Sequence, residues 1–264
     1  MTHLAFQYRG GSQFPTLSAC SLIVGPLALV VALIGCATPA PYNPFQISEE
    51  QFRAKVKRIA LTPITVPQGL EISESAKLRF DSLIEAKLQE AGIATFPAKN
   101  WGEVFARVQQ EVGGVFDPRT GSLDETKVKT AWARTVDEIH TRFQFDAVLL
   151  PAVVIVEADL RSPDLARQFF SEAYSAQLGA AFFGAPTTMP ALLLVVSIGD
   201  RDPKGSVQYR HRAVIQLLKK PAPITERFSD KPPVPREELL TNDERNRAAV
   251  EIALGPLVKK PETR

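Results

Sequence analysis

Cysteine is almost missing from this chain, with only Cys20 and Cys36 among its 264 residues. Both flank a single apolar run near the amino terminus, so the rest of the chain carries no disulfide framework and no cysteine-based metal site. Histidine is nearly as scarce: three residues, of which only His140 and His211 lie beyond that run. General acid–base chemistry has little to draw on, and both histidines read as structural or surface residues. A strong excess of one charge is absent too. The formal net charge of +2 gives no basic footprint for neutralising phosphates, which argues against a nucleic-acid partner. There is no G-x-S-x-G nucleophile turn, no G-x-x-x-x-G-K-[ST] phosphate loop and no internal repeat.

Two short patterns that resemble chemical sites fail on closer reading. Asp200, Asp202 and Gly205 in "DRDPKG" mimic the opening of an EF-hand loop, but Lys204 and His211 stand where oxygen ligands are needed, so the stretch reads as a turn. Glu157 and Asp159 share one face of a strand, and at a strand end such a pair reads as the solvated side rather than as an acid and a base. No catalytic residue, metal ligand or bound cofactor is expected.

A run long enough to span a bilayer is also missing at the amino terminus. Leu22 to Ile34 is about a dozen apolar residues, short of the roughly 20 that a membrane helix needs and suited to the core of a signal peptide. It ends in Leu33-Ile34-Gly35-Cys36, and "GCATPAPYNP" then breaks any helix with Pro39, Pro41 and Pro44, which argues against a cysteine buried on a core helix. These four residues resemble the bacterial lipobox. The resemblance implies cleavage between Gly35 and Cys36, a covalent lipid on the Cys36 thiol, and acylation of the new amino terminus. Several acyl chains make a lasting anchor, since each buried CH₂ adds about 0.8 kcal/mol. Ala37 stands where inner-membrane lipoproteins commonly carry aspartate, so the resemblance favours the periplasmic face of the outer membrane. Residues 1–35 are thus expected to be a removed signal peptide, 36–56 a lipidated proline-rich tether, and 57–264 a periplasmic domain.

Within that domain "VKRIALTPITVP" reads as a first strand over Lys57–Val66. An amphipathic helix follows from Ser73, with Ala76, Phe80, Leu83, Ile84 and Leu88 on one face and Gly92 at its end. "IATFPA" reads as a second strand. Asn100 reads as the cap of a helix carrying Trp101, Val104, Phe105 and Val108. Turn formers from Gly113 to Gly121 mark a surface loop, and the next helix aligns Val128, Trp132, Val136, Ile139 and Phe143. "FDAVLLPAVVIVEADL" reads as a central strand with Pro151 at a bulge or end. A hairpin follows, from Ala191 and from Ser206, and a last helix opens on a Thr241–Glu244 capping box and stops at Gly255-Pro256. The expected fold is a single three-layer α/β (α+β) domain: a mixed sheet, helices on both faces, and a late antiparallel hairpin.

One segment, "RSPDLARQFFSEAYSAQLGAAFFGAPTTMP", reads as a helical insert over about 162–190, started by Ser162, Pro163 and Asp164. Its broad face holds Phe169, Phe170 and Tyr174. Packing on the sheet, docking of a partner, and membrane insertion as a hairpin all remain open for it, although its helical spacing and Glu172 count against the hairpin.

The order of elements from about Lys57 to Leu257, the "D-x-x-G" hairpin and the lipobox together resemble a superfamily of envelope lipoproteins. It includes the penicillin-binding-protein activator and the curli secretion channel subunit, and the order is also similar to the amino-terminal domain of the Tol-system β-propeller protein. The resemblance implies a non-catalytic domain that contacts an envelope protein, such as a cell-wall synthase or an assembly complex. An oligomeric secretion channel subunit is the alternative. An envelope hydrolase is third.

Overall fold

The computed structural model describes residues 42–159, 161, 188–201, 205–219 and 233–258. In chain order the elements are α1 (Glu49–Lys55), β1 (Arg58–Leu61), α2 (Glu74–Glu90), β2 (Ala94–Phe96), α3 (Ala98–Glu111), α4 (Glu125–Phe143), β3 (Ala147–Asp159), β4 (Thr188–Gly199), β5 (Val207–Leu217) and α5 (Asp243–Val258). The sheet runs β2-β1-β3-β4-β5. Its first three strands are parallel, and β4 and β5 add to β3 antiparallel. This is the mixed sheet and late hairpin expected from the sequence.

Strand alternation divides the core between the two faces. Ile59, Leu61, Leu149, Leu194 and Tyr209 point to a face covered by α1, α2 and α5, where Phe52, Phe80, Ile84, Val250 and Leu254 complete the main cluster. Ala60 and Val148 point the other way, onto Trp101 and Val108 of α3 and Ala131 and Ile139 of α4. A third cluster lies at the far end of the long strands, formed among the described residues by Ala158, Met189, Ala191, Leu193, Val214 and Leu217.

Helix ends follow local chemistry, with several corrections to the sequence reading. Ser73 caps α2 by accepting from Ala76 N at 3.2 Å, and Gly92 closes it at φ 74°. Asn100 does not cap α3. The helix begins at Ala98, whose amide donates to the Glu85 carboxylate of α2 at 2.9 Å, so a neighbouring helix supplies the cap. At α5 the cap is Asn242, which accepts from Arg245 N at 3.0 Å, while the Thr241 hydroxyl turns back to donate to Glu238 O. Gly255 and Pro256 do not stop α5, which continues to Val258. Proline in a last turn removes a single ladder bond, and the terminal carbonyls find another donor, described below.

Pro151 sits inside β3, paired with Val196, rather than at a bulge or an end. Its missing N–H falls on the β1 side, where β1 stops at Leu61 instead of running to Val66. The chain steps away over 62–64 and meets β3 again where Thr65 N donates to Pro151 O at 3.0 Å and Val153 N donates to Thr65 O at 2.8 Å. The gap therefore lies where proline has no hydrogen to give.

The tether is shorter than 36–56, because α1 belongs to the folded domain. Ser48 and Gln51 form a capping box on it, and Phe52 is 1% exposed. The insert is also shorter at its far end, since Thr188, Met189 and Pro190 already belong to β4.

Candidate functional site

Gly35, Cys36, Phe169, Phe170 and Tyr174 lie outside the described residues. What is described is the place where the tether enters the domain and the surface around it.

The chain becomes part of the sheet as soon as its proline-rich stretch ends. Arg210 N donates to Pro44 O and Gln46 N donates to Gln208 O, both at 2.8 Å, so residues 44–46 lie along the outer edge of β5. Phe45, Phe52 and Tyr209 stack edge-on, with Phe45 5.4 Å from Phe52 and 5.2 Å from Tyr209 between ring centroids. The Tyr209 hydroxyl donates to Ala253 O of α5 at 2.6 Å, and its burial pushes the phenol up from its ordinary value. From α1, Arg53 reaches the end of α5 and donates to Leu257 O at 2.7 Å and Pro256 O at 2.8 Å. A guanidinium there satisfies orphan carbonyls and faces the negative end of the helix dipole. The two ends of the described chain are thus joined through α1.

Lys55 makes a further link, donating to Asp200 Oδ1 at 3.0 Å. Asp200 also accepts from the Ser206 hydroxyl at 2.8 Å and from Gln208 Nε2 at 2.6 Å. Burial opposes its charge, but the bonds from Lys55, Ser206 and Gln208 outweigh this and hold its carboxyl below the usual range. The carboxylate of "DRDPKG" is therefore engaged in closing the hairpin. Asp202 and Lys204 lie outside the described residues.

The other singled-out residues are dispersed. His140 on α4 sets its ring edge-on to Phe145 at 5.2 Å, on the opposite side of the sheet from His211, whose ring lies 5.4 Å from Tyr42 and 6.4 Å from Tyr209. Asp159 binds Arg161 through both carboxylate oxygens, while Glu157 is exposed. Nothing brings these groups together as an acid and a base.

An opening in the second helical layer, as the described residues form it, is the feature that sequence reasoning missed. On the α3–α4 face, between buried Val148 and the third cluster, cross-strand pairing aligns Leu150 with Ser197 and Arg210, and Ala152 with Val195 and Arg212. Leu150 is 38% exposed, Ala152, Val195 and Ser197 are half-buried, and both arginines are exposed. Arg210 Nε donates to Ser197 Oγ at 3.2 Å; among the described residues no carboxylate pairs with either arginine. Beside this cationic rim Tyr42 is 60% exposed, with its hydroxyl donating to Arg210 O at 2.7 Å. The signal was the alternation in "YRHRAV", which places Arg210 and Arg212 on one face, but that face becomes identifiable only once the register is known.

No protein-family model, curated protein or solved structure matches this chain.

Proposed function

We propose that this chain is a non-catalytic lipoprotein of the outer membrane, lipidated at Cys36 and facing the periplasm, whose α/β domain binds an envelope protein. The observation that carries the reading is Leu33-Ile34-Gly35-Cys36 behind the apolar run and directly ahead of a proline-rich stretch. The geometry supports it through the shortness of the link: five residues, 37–41, lie between Cys36 and the described domain. They reach about 20 Å at full extension. An anchored Cys36 would hold the hairpin end of β5 near the bilayer.

The insert leaves the sheet at the other end. Asp159 pairs with Thr188 and Arg210 with Ser197, so along β4 about 30 Å separates the insert from the tether's entry. Such an arrangement would hold the Asp159–Thr188 end of the sheet, between whose strands the insert lies in sequence, away from the membrane; aromatic side chains such as Phe169, Phe170 and Tyr174 are the kind that serve as interface anchors. A cell-wall synthase or an assembly complex is the kind of partner that the family resemblance suggests.

In-cell crosslinking followed by purification from detergent-solubilised envelopes tests the reading. A defined envelope protein should be captured, and should be lost from a Phe170→Ser/Tyr174→Ser variant whose thermal unfolding is unchanged. Recovery of the protein only with itself, in a large ring, would replace this reading with the channel-subunit alternative.

A further inference from the structure

The rim beside the tether has a specific use at an anchored domain. We infer that Arg210 and Arg212 dock on anionic phospholipid headgroups of the membrane that holds the anchor and so fix the orientation of the domain. Two observations converge on it. The chain enters the fold at the edge of β5 against Arg210 itself, so a bilayer within about 20 Å of Tyr42 lies near this surface. Both arginines are exposed on one face of β5, and among the described residues neither has a carboxylate partner.

An untethered domain would gain little from two arginines. The anchor removes the cost of bringing the two surfaces together, so a small contact free energy becomes a large change in the docked population. Two cations at an anionic surface multiply that population by about 30-fold.

This inference rests on the lipidated-Cys36 reading for its setting in the cell, and its test does not. Cys36 is the single thiol of the chain from residue 36 onward. It can be coupled chemically to a maleimide-headgroup lipid in vesicles of phosphatidylcholine alone or with one-third phosphatidylglycerol. Energy transfer from Trp101 and Trp132 to a dansyl headgroup reads the approach of the domain. Transfer should rise with phosphatidylglycerol and fall at high salt. Arg210→Gln/Arg212→Gln should lower the docked-to-undocked ratio by about 30-fold, and Arg210→Lys/Arg212→Lys should largely keep it, with circular dichroism unchanged in both. Equal transfer on both lipid compositions, or a Gln variant equal to wild type, would overturn the inference. So would loss of a captured acidic protein, in the Gln variant, with lipid docking intact. Failure of lipidation in cells would leave this vesicle result unchanged.

Discussion

Asp81 gives the domain an unusual dependence on pH. It is 6% exposed on α2, and Oδ1 accepts from Ile64 N at 3.0 Å, holding the 62–64 detour against the helix. Burial raises its pKa from 3.8 to about 7 against the opposing effect of the Ile64 bond; Glu85 and Glu74 raise it further and Lys77 lowers it. The folded state therefore favours the protonated carboxyl. Its contribution is fully present below the unfolded value near 4 and is lost as pH rises toward 7. At about 1.4 kcal/mol for each tenfold change in proton affinity, the loss is about 4 kcal/mol between pH 4 and pH 8. Asn in place of Asp81 keeps the acceptor for Ile64 and cannot ionise. Urea unfolding of Asp81→Asn should therefore match wild type near pH 4 and exceed its stability by a few kcal/mol near pH 8. A wild-type advantage at high pH, of the kind that ion-paired carboxylates with lowered pKa give, would refute the assignment, as would a pH-independent difference between the two proteins.

Phe52→Ala should cost about 3–5 kcal/mol, the range for a fully buried aromatic; a loss below about 1 kcal/mol in urea unfolding would return α1 to the tether. Arg53→Ala should cost about 1–3 kcal/mol by leaving the α5 carbonyls without charged donors. Its effect on hydrogen exchange should centre on the last turn of α5. Asn242→Ala should lower stability by about 1 kcal/mol and Thr241→Ala by less, with the order reversed if the capping box were at Thr241. Cys36→Ser should leave an unprocessed or soluble product, read by membrane fractionation.

Long periodic elements were legible from the sequence because their burial pattern is their sequence pattern. The α2 stripe of Ala76, Phe80, Ile84 and Leu88 is buried as read, and β3 lies at the centre of the sheet. Errors arose where tertiary contacts replaced local signals. Asn100 offers a good cap, but Glu85 reaches Ala98 first from another helix. Gly255-Pro256 looks like a stop, but Arg53 satisfies the carbonyls of a turn that carries on. Pro151 fits inside a strand because its neighbour β1 has already turned away. The α1 strap was readable in Ser48-x-x-Gln51, which the nearby prolines and its length of seven residues hid within a presumed linker. The cationic rim leaves a local trace only in the alternation of Arg210 and Arg212, and the face they share depends on pairing across three strands. Phe169, Phe170 and Tyr174 lie outside the described residues, so their pattern still stands on sequence alone.

Lipidation at Cys36 is the premise on which the functional account rests, and the mass of the amino-terminal peptide of protein extracted from bacterial envelopes tests it most directly. The account predicts a chain that begins at Cys36 and carries a diacylglyceryl group on sulfur together with an acylated amino terminus. A chain that keeps residues 1–35, or one cut elsewhere with an unmodified Cys36 thiol, would contradict it.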